Sequence, residues 1–335
     1  MFMRLVVSGG SMRAIEVETF GTTDVLELVD RDVPEPGPGQ VRIETEAIGV
    51  NFADIMQRRG TYPGGPEPPY TPGFETAGVV DALGPDITDL AEGDRVVGYP
   101  DGGAYAEYAL CRAEGLFAVP DGMSFETAAA YPVQFLTAHN CLFEWGGLES
   151  GERVLIHAAA GGVGSAAVQL ASRAGAEVFG TASSDEKLAH IDKLGCDHPI
   201  NYVENDFAEE ITEITDGGGV DLVLDGVGGE THTKSYDILK HFGRIVAFGV
   251  ASGDVPKPDV WDLLFENHSV IGFHLGQSMN HDPERVLGAV PELSQILANE
   301  DVTITIGARF PLEEAAKAHQ HIENRENIGK VVLTT

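Results

Sequence analysis

The stretch "VLIHAAAGGVGSAAVQLA" at 154–171 constrains the fold of this chain more than any other. A run of buried-type residues gives way to mostly small ones between Ala158 and Gly164, then apolar residues resume at helical spacing. That order fits a strand, a tight turn and a helix, with little side chain where the helix must pack on the strand. The first N–H groups of such a helix have no intrahelical partners and lie at its positive end, which suits the turn to a pyrophosphate. Gly161 and Gly162 let backbone approach phosphate, Val163 belongs to the same turn, and Gly164 permits close helix packing. The pattern is A-x-G-x-x-G, because Ala159 stands at the first glycine position.

The surroundings repeat the same unit. Apolar runs at 153–159, 177–181, 220–225, 244–250 and 269–275 alternate with helix-length amphipathic segments such as 184–194 and 229–240. This order predicts an α/β fold, a parallel sheet doubly wound with helices, over residues 131–300. Residues 12–130 read differently: short β-type runs separated by Pro and Gly, as in "DVPEPGPGQVRIETEAIGV", predict a mainly β domain. Residues 1–11 read as a flexible extension. A helix is expected around 283–299, and residues 301–335, with "TITIGARF", "LEEAAKAHQHI" and "KVVLTT", are expected to return to the first domain and leave a cleft between the two.

The end of the second strand, "AEVFGTASSDEK", decides which dinucleotide is expected. An NAD site places an Asp or Glu there to accept hydrogen bonds from the ribose 2′-hydroxyl. Gly180 to Ser184 hold no acid, although the chain carries 53 acidic against 21 basic residues. Lys187, the first lysine of the sequence, stands one helical turn from Ser183, so the pair is placed for a 2′-phosphate, and NADPH is the expected cofactor. Ser183 also fits a capping box with Glu186, and Tyr202, after the run "HPIN", reads either as an adenine or phosphate contact or as a core residue.

Composition excludes other classes. The formal net charge of −32 repels nucleic acid and anionic lipid, and its even spread resembles the solvated surfaces of proteins from extreme halophiles. No apolar run reaches the eighteen or so residues of a membrane span, and three scattered cysteines fit free thiols, so a cytoplasmic protein is expected.

The segments "HAAAGGVGSAAVQLA", "VFGTASSDEK", "GCDHPINY", "VDLVLDGVGGE", "GRIVAFGVAS" and "GFHLG" together resemble the medium-chain dehydrogenase/reductase superfamily, within it the zinc-free quinone oxidoreductases and zeta-crystallins, and most closely the vesicle amine transport protein homologues. The resemblance implies a GroES-like catalytic domain, a Rossmann domain, a homodimer joined through the last sheet strands, and NADPH-dependent reduction of quinones or other conjugated carbonyls. It adds Phe248, Gly249, Phe273, Leu275 and Arg325 to the cofactor contacts Gly161 to Gly164, Ser183, Lys187 and Tyr202, and puts Thr137 near the nicotinamide.

Zinc-dependent members of that superfamily need a Cys after an early strand and a His-Glu pair. Here "GVNFADIMQ" and "PGFETAGVV" offer Asn51 and Phe74 instead, so no metal is expected. Without a Lewis acid, a conjugated acceptor is the easier substrate, because charge moves to a distant oxygen that a hydrogen bond stabilises. Asn51 and Tyr62 are the candidates to hold or protonate that oxygen; in related enoyl reductases the tyrosine of a G-x-Y-P stretch is the acid. Asp54 is expected to orient neighbours. The adjacent Arg58 and Arg59 keep an enoyl-thioester reductase open as an alternative, since the phosphates of an acyl thioester need basic partners, and a non-catalytic NADPH-binding protein is the other.

Overall fold

The computed structural model describes residues 10–299 and 301–335. The extension read at residues 1–11 therefore lies almost wholly outside the described residues. Its last residue, Ser11, already pairs with Asp32, and the Gly10 carbonyl accepts the Val33 N–H at 2.9 Å. The chain divides into two compact units, one reaching Pro132 and resuming at Ile306–Thr335, the other Val133–Thr305.

In the first unit the strands are β1 (Ser11–Val17), β2 (Leu26–Asp32), β3 (Gln40–Val50), β4 (Thr76–Leu83), β5 (Arg95–Pro100) and β6 (Tyr108–Ala118). Strands β3, β4, β5 and β6 pair antiparallel in that order, and β3 also pairs with β6, which closes a small barrel. β3 alternates buried and less buried residues over its first half, as a sheet with one face inward demands, and is buried on both faces from Ala47 to Val50. A helix at Phe52–Arg58, short enough to hide in a turn-rich sequence, follows directly.

The second unit contributes β7 (Arg153–Ile156), β8 (Glu177–Ala182), β9 (His198–Asn201), β10 (Val220–Asp225), β11 (Leu239–Ala247) and β12 (Ser269–Gly272). All are parallel, in the spatial order β12-β11-β10-β7-β8-β9. Counted within the unit this is 3-2-1-4-5-6, the doubly wound order in which crossovers reverse direction between β7 and β10. Leu155, Phe179, Ile200, Val223 and Ile245 carry its core from strand to strand, each such side chain contributing about 1.5–3 kcal/mol by leaving water.

Helix boundaries differ from expectation where glycine or a strand intervenes. The segment 229–240 is helical only to Ser235, passes through one 3₁₀ turn and enters β11 at Leu239, so β11 ends at Ala247 and leaves Phe248 and Gly249 beyond it. The helix expected at 283–299 is two, Pro283–Leu287 and Val290–Ala298, parted at Gly288 and Ala289.

The chain's last strands, β13 (Ile306–Pro311) and β14 (Lys330–Thr334), extend the barrel sheet. β14 pairs antiparallel with β3, with Val331 opposite Val50, and β13 lies parallel to β14. The helix Ala315–Glu323 between them packs Ala315 and Ala318 on Ile48, Val331 and Leu333.

Candidate functional site

The candidate cofactor residues of the second unit lie along one edge. The glycine turn follows β7, Ser183 follows β8, Tyr202 follows β9, Phe248 and Gly249 follow β11, and Phe273 follows β12. Because the strands are parallel, these residues share the carboxyl edge of the sheet, and β7 and β10 form its switch point.

The turn after β7 has the geometry a phosphate needs. Ala158 takes a left-handed φ of 50°, the Ala159 N–H donates to the Thr181 carbonyl at 3.0 Å, and Gly161 starts the helix Gly162–Arg173 without a side-chain cap. The leading N–H groups of that helix thus have no capping side chain to satisfy them, the condition for an anion site. A Cβ on Gly164 would stand 2.3 Å from the Ala158 carbonyl oxygen, and one on Gly162 would press within 2.9 Å of the Gln134 side chain. The cradle therefore tolerates only glycine at 164, and its shape fits a dinucleotide pyrophosphate.

Around it, Ser183 and Lys187 are half-buried and Tyr202 is 37 % exposed. The cap of the helix Asp185–Lys193 is Ser184, whose hydroxyl accepts the Lys187 N–H at 3.4 Å. The capping box read at Ser183 and Glu186 is thereby corrected: two residues separate β8 from the helix, and the second of them, Ser184, is the cap, through its hydroxyl alone. Thr137 is buried in the helix Pro132–His139, Phe273 stacks edge-on against Trp145 at 4.9 Å, and Leu275 opens the helix Leu275–His281. Arg325 belongs to the other unit, exposed after the helix Ala315–Glu323 with a left-handed φ of 59°.

The first unit holds a second cluster, almost entirely buried. Lys330 of β14 donates to Glu75 Oε1 at 2.6 Å and to Asn51 Oδ1 at 2.8 Å, while the Asn51 amide donates to the same Glu75 oxygen at 3.0 Å. The Asn51 backbone N–H donates to Asp54 Oδ2 at 2.7 Å, which makes Asn51 the cap of the helix Phe52–Arg58 as well as a link to the ion pair. Tyr62 packs its ring against Phe74 at 5.6 Å. Burial, with the Asp54 charge second, pushes its hydroxyl up to about 12, so it stays a proton donor throughout the working range.

Tyr105 and His319 extend the cluster. The Tyr105 hydroxyl bridges Asp54 Oδ2 at 3.1 Å and His319 Nε2 at 3.0 Å, and Arg58 meets His319 Nδ1 at 3.2 Å. Arg58 is 1 % exposed and pairs with Glu323, which Arg59 also contacts. The reading of Arg58 as a binder of acyl-thioester phosphates is corrected by this: its charge is spent inside the unit. Glu75, Tyr105, His319 and Lys330 were absent from the sequence reading. The scarcity of lysine, which drew attention to Lys187, would have flagged Lys330 equally.

Two family descriptions match the chain, the alcohol dehydrogenase GroES-like domain over residues 37–121 and the zinc-binding dehydrogenase family over 162–294. The human synaptic vesicle membrane protein VAT-1 homolog is 38 % identical over 96 % of this chain and 86 % of its own. The quinone oxidoreductase of Pseudomonas aeruginosa is 38 % identical over 96 % of this chain and 99 % of its own. Among solved structures, Escherichia coli quinone oxidoreductase complexed with NADPH superposes with a TM-score of 0.91 at 33 % identity, covering 97 % of this chain and all of that one.

A barrel unit with a doubly wound unit inserted before its last strands is the plan of a two-domain dehydrogenase or reductase. The chain belongs to the medium-chain dehydrogenase/reductase superfamily, in its branch of quinone oxidoreductases and VAT-1 homologues.

Proposed function

We propose that this chain transfers hydride from NADPH to a quinone or another α,β-unsaturated carbonyl compound, without zinc, as a cytoplasmic homodimer adapted to high salt. The observation that carries the cofactor choice is the end of β8: Gly180 to Ser184 hold no carboxylate in a chain of net charge −32, and Lys187 stands beside Ser183. NADPH, when bound, supplies the hydride. Gly161, Gly162, Val163 and Gly164 hold its pyrophosphate, Ser183 and Lys187 its 2′-phosphate, and Tyr202 its adenine end. Phe248, Gly249, Phe273 and Leu275 would meet it at the carboxyl edge of the sheet, Thr137 would face its nicotinamide, and Arg325 is the remaining contact that the family resemblance implies.

The residues at the zinc positions do not fit a dication. Phe74 offers no donor, Asn51 has its amide between Lys330 and Glu75, and the Lys330 ammonium already places a positive charge 2.6 Å from Glu75. Among the described residues no group of three His, Cys, Asp or Glu side chains is set to bind a metal. Reduction then depends on placing the acceptor and on hydrogen bonds to its oxygen. Tyr62 donates to that oxygen as charge grows on it, and Asn51 orients it.

For the homodimer, β12 is an edge strand, paired among the described residues with β11 alone, and the nearby helix Val260–Glu266 leaves Trp261 67 % and Phe265 74 % exposed. An open edge beside bare aromatic rings favours pairing with a second copy. No helix among the described residues is long and apolar enough to cross a membrane.

The test is oxidation of NADPH and NADH in concentrated KCl with a quinone, a short enone and an enoyl-CoA, alongside elemental analysis for zinc. Turnover of the quinone or enone with NADPH and without zinc supports the reading. Turnover of enoyl-CoA alone makes the chain an enoyl-thioester reductase, and NADPH binding without turnover makes it a binding protein.

A further inference from the structure

The buried cluster of the first unit contains three acidic side chains, Asp54, Glu75 and Glu323, and two basic ones, Arg58 and Lys330, and they pair unevenly. Lys330 lies 2.6 Å from Glu75. Arg58 takes Glu323. Asp54, fully buried, is left without a cation in hydrogen-bond contact.

The hydrogen bonds around Asp54 also have a fixed sense. A guanidinium only donates, so His319 accepts from Arg58 through Nδ1 and carries its proton on Nε2. Burial and the Arg58 charge hold His319 down to about 3, and the ring stays neutral. His319 Nε2–H then donates to the Tyr105 oxygen, and the Tyr105 hydroxyl donates to Asp54 Oδ2. The Asn51 N–H ends on the same atom. Asp54 Oδ1, wholly buried, has no hydrogen-bond partner among the described residues. A carboxylate in this place would bury a net charge with one oxygen undonated and no contacting cation, whereas a neutral acid, with its proton on Oδ1, buries only an uncharged hydroxyl, the smaller cost.

We propose that Asp54 works as a neutral carboxylic acid and is a positioning residue for the reduction, which stops when it ionises. The proposal rests on the reductase reading above. Asp54, third residue of the helix Phe52–Arg58, accepts the backbone N–H of its cap Asn51 and lies within electrostatic reach of Tyr62, so a carboxylate there would oppose the negative charge that grows on the acceptor oxygen. The other titratable groups coupled to it are Lys330, Glu75, Tyr105, Tyr62 and Tyr70. Burial dominates their sum and pushes Asp54 up to about 7. In the reaction, quinone, NADPH and one proton give hydroquinone and NADP⁺; Asp54 neither gains nor loses a proton.

The experiment compares the wild type, Asp54→Asn and Tyr105→Phe in NADPH oxidation by 1,4-benzoquinone from about pH 5 to about pH 9. The wild-type kcat should fall about tenfold per pH unit above neutrality, as one ionisation requires. Asp54→Asn, scaled to its own maximum, should lack that fall. Tyr105→Phe should move it to higher pH, because it removes a donor that favours the carboxylate. A purely structural role would lower rates at every pH and leave the fall in place, which would overturn the proposal. Infrared spectroscopy of the resting wild type provides a second measurement: a carboxylic-acid C=O band below neutrality, absent in Asp54→Asn. Absence of that band in the wild type overturns the proposal without any turnover. A band with no turnover of any acceptor contradicts the reductase reading instead.

Discussion

The glycine turn of the second unit and the buried cluster of the first are built on opposite principles. The turn is made from backbone: consecutive residues, one left-handed alanine, and a glycine, Gly164, where a Cβ would meet a carbonyl at 2.3 Å. The cluster is made from side chains brought together across the chain, Lys330 with Asn51 and Glu75, His319 with Tyr105 and Arg58. A turn of the first kind gains its anion affinity from orphan N–H groups and tolerates change in most surrounding side chains. A cluster of the second kind is cooperative, and removing one member leaves the others buried and uncompensated.

The largest effect should come from breaking the cluster's ion pair. Lys330→Met leaves Glu75 buried without its cation and should cost about 3–5 kcal/mol in chemical denaturation, while Lys330→Met with Glu75→Gln should recover much of it. An equal loss in the single and double variants would break the contrast. Tyr62→Phe should lower kcat about 10²–10⁴-fold with little change in NADPH affinity, read by steady-state kinetics and fluorescence titration. Lys187→Glu should do the reverse, weakening NADPH about 10–100-fold and NADH little, because a charge-assisted bond is worth about 1.5–3 kcal/mol.

A pH series in thermal unfolding sharpens the comparison. Asp54 binds its proton more tightly folded, about 7 against a usual 3.8, so its contribution to stability is whole below 3.8 and is lost as pH rises toward 7. Across that window the wild type should lose stability relative to Asp54→Asn. The smallest effect is expected at a cap: Ser184→Ala should cost about 1 kcal/mol, and Ser183→Ala less, if Ser184 is the residue that closes the helix.

The same contrast explains what was legible in the sequence. The turn, the alternating strands and helices and the missing acid after β8 are local patterns, so 154–187 announced both a fold and a cofactor. The one-residue error at Ser183 is local too: Ser183 matches the S-x-x-E pattern through Glu186, but the adjacent Ser184 can cap through its hydroxyl alone and does. Asn51 was visible by its position after an early strand, but its partners Glu75 and Lys330 are 24 and 279 residues away. Arg58 looked like a surface cation until the fold enclosed it with His319 and Glu323. Long-range pairing depends on register between β3 and β14, which no local pattern encodes.

The account depends most on reduction by NADPH in a site that has no zinc. Stopped-flow absorbance of zinc-free protein mixed with NADPH and 1,4-benzoquinone in concentrated KCl tests it directly. The prediction is rapid loss of the NADPH signal, at least tenfold faster than with NADH, as expected for one charge-assisted 2′-phosphate contact worth about 1.4 kcal/mol or more. Equal rates with both coenzymes, or activity that appears only when zinc is restored, would contradict it.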